Sequence, residues 1–188
     1  MIPYRFINEW RSIAPWQDDA MVEQDLIISR ALVELFNNEL IANSLAFRGG
    51  TALHKLYFSP ASRYSEDIDL VQIRPEAIGE TFDQIRKVID PWLGEPRRSL
   101  KEGRANLYYR FPAESNPNIK MRLKIEINTR EHLAVLKHKT IPYQINSSWF
   151  TGETHITSFH LNELLATKLK ALYQRKKGRD LYDMLALP

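Results

Sequence analysis

Residues 47–71 read FRGGTALHKLYFSPASRYSEDIDLV, and the two ends of this stretch carry different chemistry. At one end a double glycine meets a hydroxyl residue, Gly49-Gly50-Thr51. The short apolar run 44–48 precedes it and reads as a strand, and residues 51–57 read as a helix start. Strand, glycine turn and helix N-terminus in that order present backbone N–H groups to an anion. Glycine lets the backbone approach a phosphate closely and take positive φ. Such turns also occur with no ligand. At the other end two carboxylates, Asp67 and Asp69, stand one residue apart in an apolar run, 67–73, that reads as a strand. A period of two puts both on one face with Val71 and Ile73, and Ile68, Leu70 and Gln72 on the other. Asp is a poor strand former and adjacent carboxylates repel, so the pair breaks a local rule that a divalent cation would repair. A strand end with both acids hydrated is the plainer alternative.

Working outward, residues 119–128 make the clearest strand. Met121, Leu123, Ile125 and Ile127 face one way, and Lys120, Arg122, Lys124, Glu126 and Asn128 the other. If this strand lies beside 67–73, Glu126 becomes a third carboxylate next to the pair, with Lys124 adjacent, and three carboxylates suit hard cations. A half-exposed edge strand with ordinary charges is the alternative. Helical spacing predicts helices over about 18–43, with Asp18 or Asp19 as cap, over 75–91 with Pro75 in the first turn, and over 161–173. Strands 97–100 and 105–111, joined by Lys101-Glu102-Gly103-Arg104, predict a hairpin. Tyr108, Tyr109 and Arg110 are candidates for a base- or ribose-binding surface, although strand aromatics are more often structural. A further strand is expected near 140–145, and residues 149–158 read as irregular or strand. Lys168 stands at the edge of the leucine stripe of the 161–173 helix, where a lysine either snorkels or points at a phosphate. Gly178 is read as the stop of that helix. The stop at Pro188, soon after a last helix begins, reads as a short form or a trimmed chain.

Composition bounds the function. At 188 residues the chain fits one domain, 1–188, with a core of about 45–160 and a helical part, 161–188. It has no cysteine, which excludes disulfides and thiolate metal sites and fits a reducing cytoplasm. The sequence lacks an apolar run long enough to span a membrane, and its first residues lack the apolar core of a signal peptide. The formal net charge of +3 is mildly basic, but the cations are clustered. Lys168, Lys170, Arg175, Lys176, Lys177 and Arg179 follow one another without an acid, and further groups lie at Arg97, Arg98, Lys101 and Arg104 and at Lys120, Arg122 and Lys124. Phosphates are the natural counter-charge, and a solvated face is the alternative for any one cluster. His132, His138, His155 and His160 lack the paired spacing of a zinc site.

Taken in order, Gly49-Gly50-Thr51, then 63–70 (RYSEDIDL), 123–126 (LKIE), 164–172 (LLATKLKAL) with Arg175, and 178–183 (GRDLYD) resemble the AbiEii/AbiGii toxin family, nucleotidyltransferase-like toxins related to the mycobacterial MenT toxins. Each motif is soft alone, and the order and spacing are specific. The resemblance implies an α/β (α+β) fold, a polymerase-β-like minimal nucleotidyltransferase core with a mixed sheet, flanked by N- and C-terminal helices. It implies transfer of a nucleotidyl group from an NTP with Mg²⁺ to an acceptor, expected to be RNA at a tRNA 3′ end, by the toxin of a type IV-like toxin–antitoxin or phage-defence system with a cognate antitoxin. By position it makes Asp67, Asp69, Lys168 and Asp180 the catalytic set, with Asp67, Asp69 and, at a position where family members differ, Glu126 on the metal. Gly49, Gly50, Thr51, Arg63, Ser65 and Arg175 are expected on the nucleotide, with the Thr51 hydroxyl on a phosphate. Asp180 either holds Lys168 or helps activate the acceptor hydroxyl. The alternatives are a small-molecule or protein-modifying nucleotidyltransferase, a nucleotide-sugar glycosyltransferase using the same acids, and a nucleotide- or RNA-binding module without turnover.

Overall fold

The computed structural model describes residues 2–58, 62–175 and 178–185, the side chains of Arg175 and Arg179 excepted. Helices α1 (Tyr4–Trp10), α2 (Asp19–Phe36) and α3 (Glu39–Ser44) lead into β1 (Leu45–Arg48) and α4 (Gly49–Leu56). Then come β2 (Asp67–Gln72), α5 (Gly79–Leu93), β3 (Arg97–Lys101), β4 (Arg104–Pro112) and β5 (Lys120–Asn128). The chain continues through β6 (His138–Asn146), β7 (Thr151–Phe159), α6 (Leu161–Arg175) and α7 (Gly178–Leu185). The strands form one mixed sheet in the order β3-β4-β5-β2-β1-β7-β6.

The centre of the sheet brings the two diagnostic strands together. β2 runs antiparallel to β1 and parallel to β5. The register sets Asp67 against Lys124 and Asp69 against Glu126 on one side, and Asp69 against Arg48 on the other. β5 is therefore an interior strand and not an edge. Its alternation is realised: Met121, Leu123, Ile125 and Ile127 are buried, and the intervening residues are half-buried or exposed. Parallel pairing of β2 with β5 requires a crossover, which the helix α5 and the β3–β4 hairpin supply.

Helix α2 is buried on most of its circumference, from Val22 to Phe36, so it acts as an internal strut and not as a surface helix. It packs against β5, β6 and β7 as well as α1, α3 and α5. The continuous helix expected over 18–43 is in fact two. At Asn38 the backbone turns extended, and its side chain accepts from Ile41 N at 3.1 Å, capping α3 and ending α2. Asp18 does hold the N-cap position of α2, without a side-chain bond. The helix expected over 75–91 starts later, at Gly79, and runs past Pro91, whose missing N–H falls in the last turn. Gly94, at φ +82°, then ends it with its N–H on Asp90 O. Gly178 is not a helix stop but the first residue of α7. Among the described residues no helix is long and apolar enough to cross a membrane.

Candidate active site

The glycine turn and the acid pair meet. Gly49 takes φ +85°, a left-handed conformation that favours glycine, and a Cβ there would lie 2.3 Å from Asp69 Oδ2. The carboxylate thus sits in the space a side chain would fill. A Cβ on Gly50 would lie 2.6 Å from Arg63 Nη2 and 3.5 Å from both Lys168 Nζ and Ser65 Oγ. Two cations and a hydroxyl therefore converge on Gly50. The first-turn N–H groups of α4 have no intrahelical partner, and no side chain caps them. Backbone donors, cations and glycines in one place make an anion cradle.

Thr51 is placed differently from the expectation. It is buried, and its hydroxyl donates to Asp67 O at 2.5 Å. Ser65 Oγ lies 2.7 Å from Thr51 Oγ1. A threonine has one proton, so Ser65 is the donor in that contact. The Thr51 hydroxyl is thus committed to pinning the first residue of β2, and what it leaves for a phosphate is its backbone N–H.

The acid pair is electrostatically unsatisfied. Burial pushes the Asp67 carboxyl above its ordinary value, with the Asp69 charge adding to it and Lys124 opposing. Burial likewise pushes up Asp69, with Glu126 adding to it and Lys124, Arg48 and Lys168 opposing. Asp67 Oδ1 is buried and has no hydrogen-bond partner. An orphaned carboxylate oxygen beside a second raised carboxylate is the donor set a hard divalent cation takes, so the residues fit Mg²⁺. Glu126 is next to Asp69 in register, but Lys124 Nζ holds its Oε2 at 2.5 Å. Among the described residues no three acids or histidines are drawn into one metal-binding group.

Across the turn lies a cluster of the opposite character, centred on a residue that sequence reasoning missed. Asp183, on α7, is fully buried. Arg63 Nε and Nη2 donate to its two oxygens at 2.6 and 2.7 Å. Lys168 Nζ is 2.9 Å from Oδ2, and His54 Nε2 is 3.1 Å from Oδ1. Burial alone would raise this carboxyl, but hydrogen bonds from His54, Arg63 and Lys168 hold it far below its ordinary value. Asp180 is also fully buried, 3.4 Å from Lys168 Nζ. That position suits holding Lys168. Of the other expected residues, the Arg175 side chain lies outside the described residues.

The family model for the nucleotidyl transferase AbiEii toxin of type IV toxin–antitoxin systems matches residues 30–187. The chain belongs to the AbiEii family. No curated protein matches its sequence. Among solved structures, this AbiEii chain is similar to MenT4, a nucleotidyltransferase toxin from Mycobacterium tuberculosis, with 17% identity and a TM-score of 0.69. That match covers 97% of this chain and 63% of MenT4. JHP933 from Helicobacter pylori follows with 19% identity, a TM-score of 0.63, and 89% and 65% of the two chains covered. An antigenic nucleotidyltransferase-like protein from Paracoccidioides brasiliensis gives 19%, 0.52, and 87% and 74%. The chain thus spans less than two thirds of the length of MenT4 and JHP933. At these identities the likeness is one of fold, and it agrees with the mixed sheet and flanking helices expected from the sequence.

Proposed function

We propose that this AbiEii chain transfers a nucleotidyl group from an NTP to RNA, at a tRNA 3′ end, in the presence of Mg²⁺. It would act as the toxin of a type IV toxin–antitoxin pair, with phage defence as its setting and the antitoxin as its protein partner. The observation that carries this reading is the glycine turn, which abuts an acid pair whose nearby cations do not offset its burial and mutual repulsion on one side, and two fixed cations on the other. Asp67 and Asp69 would hold the metal, which when bound supplies charge for the triphosphate and for the departing pyrophosphate. Gly50 and Thr51 offer backbone N–H groups to the phosphates. Arg63 and Lys168 neutralise further charge, Arg63 as a rigid fork and Lys168 as a point donor. Asp183 and Asp180 touch no substrate and hold those cations in place. The acceptor hydroxyl forms a bond to the α-phosphorus, the α–β phosphoanhydride bond breaks, and pyrophosphate leaves. The hydroxyl proton leaves to solvent water, because Asp67 and Asp69 are committed to the metal. Most of the acceleration in such a transfer comes from positioning and fixed charge.

The test is direct. Purified protein with each of the four labelled NTPs, Mg²⁺ and total tRNA should yield labelled tRNA, and Asp69→Asn should not. Label on no RNA with any NTP sinks the RNA reading. Label appearing instead on a small molecule or on a protein would move the activity to that acceptor.

A further inference from the structure

We propose that the open face of the β3–β4–β5 wing is the track on which the RNA acceptor lies, its phosphates held by Arg97, Arg104, Arg110, Lys120 and Arg122 and a base resting on Tyr108. The proposal rests on the RNA reading above and adds where the strand binds.

The register divides the wing cleanly. Arg97 is opposite Tyr108, which is opposite Lys124, and Lys124 is opposite Asp67. Arg110 is opposite Arg122, and Asn106 is between Ser99 and Glu126. These residues share the face that carries the acid pair. The other face presents Leu107, Tyr109, Phe111, Leu123 and Ile125, all buried, with Tyr109 donating to Asp90 of α5 at 2.8 Å. The helix-covered face therefore takes the apolar residues, and the face towards Asp67 and Asp69 takes the cations. Arg97, Arg104, Arg110, Lys120 and Arg122 are exposed there, and Tyr108 is half-buried with the Arg122 guanidinium 5.8 Å from its ring centre. Only one carboxylate occupies these positions, Glu126, and Lys124 already holds it.

A solvated face of a well-behaved protein interleaves both signs, and this one does not. At roughly 4.8 Å per strand spacing, the face runs about 15 Å from β2 to β3, enough for a few nucleotides of a single strand. At the Lys120 end it opens into a cleft of about 830 Å³ that Arg110, Lys120 and Arg122 share with Asp18, Asp19, Tyr64 and Glu66, the last of these next to Asp67 in sequence. Cations that track a backbone, with an aromatic ring between them, are what single-stranded nucleic acid takes. Phosphates laid along this face would deliver an end to the acid pair without crossing another element of the sheet.

The test is binding of a 5′-labelled single-stranded RNA of roughly 12 nucleotides, followed by fluorescence anisotropy through a salt series without NTP. Arg110→Glu with Arg122→Glu should weaken binding at least tenfold and lower the salt slope by about 1.4, near 0.7 for each phosphate no longer neutralised. Arg98→Glu, half that charge change and on the opposite face of β3, should leave both within about twofold. The melting temperature should be unchanged. Should the reversals unfold the chain, Arg110→Gln with Arg122→Gln reads the same slope. Unaltered RNA affinity in the double variants overturns the track, and so does an equal loss in Arg98→Glu. DNA of the same length competing as well as RNA overturns RNA as the occupant. If RNA is bound with this charge dependence but never labelled, the transfer reading falls and the track stands. If RNA is labelled with an unchanged KM in the double variant, the track falls and the transfer reading stands.

Discussion

The acids on β2 and the acids on α7 flank the same glycine turn and are in opposite electrostatic states. Asp67 and Asp69 are carboxylates held near each other and near Glu126, with too little positive charge to settle them, and both resist ionisation. Asp183 has an arginine fork, a lysine and a histidine on one carboxylate, and it resists protonation. The difference separates two tasks. An over-satisfied acid fixes its cations before a substrate arrives, so Arg63 and Lys168 need no reorganisation to meet a phosphate. An under-satisfied pair stores repulsion that a divalent cation relieves on binding. Under the proposed function, a site that recruits a metal and a triphosphate together has reason to keep both kinds.

Breaking the under-satisfied side should have the largest effect. Asp69→Asn is expected to lower nucleotidyl transfer by about 10³-fold or more, corresponding to several kcal/mol of lost charge stabilisation, in a labelled-NTP assay. The folded state should remain intact by circular dichroism. A variant that retains a tenth of the activity would remove Asp69 from the metal role. Breaking the satisfied side should act on stability first. Asp183→Ala leaves Arg63 and Lys168 partly buried around a missing acid, and such losses cost about 3–5 kcal/mol. Urea unfolding reads this directly, and a change below about 1 kcal/mol would mean the cluster is hydrated and not structural. Gly50→Ala sharpens the boundary between the two. Its methyl group would meet the Arg63 guanidinium, which is pinned to Asp183 and has little room to retreat. The KM for NTP should rise by roughly 10-fold to 100-fold with kcat less affected, because the displaced groups are those proposed to hold the bound phosphates. An unchanged KM would take Gly50 out of the cradle.

Much of the under-satisfied side was legible in the sequence and little of the other. Period-two alternation puts Asp67 and Asp69 on one face in any strand register, and the strongly alternating 119–128 run fixes which face Glu126 takes. Their juxtaposition then needed only that the strands be neighbours. Asp183 defeats the same reasoning because α7 is inverted. It buries Asp180 and Asp183, three residues apart on one face, and exposes Leu181, Tyr182 and Leu185. Hydrophobic periodicity assigns the opposite orientation. The available signal was one of charge: two acids at helical spacing directly follow a cation-rich run without any. His54 was hidden likewise, as a single histidine in an amphipathic helix start. The Thr51 hydroxyl was misassigned because its competitor, the Asp67 carbonyl, is brought to it only by the fold.

The smallest effect separates the two sides by the sign of their pH dependence. For Asp67 and Asp69 the folded-state affinity for protons exceeds the ordinary one, so their contribution to stability is complete below the unfolded value of about 3.8 and is lost as pH rises through the raised value. Asp183 has the reverse sign: its contribution is present above 3.8 and is lost only on acidification below it. In metal-free protein near neutral pH, Asp67→Asn should therefore raise the melting temperature, by ~2–4 °C for each kcal/mol of repulsion relieved, while transfer is lost. The gain should vanish at a pH where wild-type Asp67 is itself protonated, and Mg²⁺ should stabilise the wild type more than the variant. A variant that melts below the wild type in chelator at neutral pH would show that the pair is satisfied without metal. The two acid clusters would then differ in position and not in charge state.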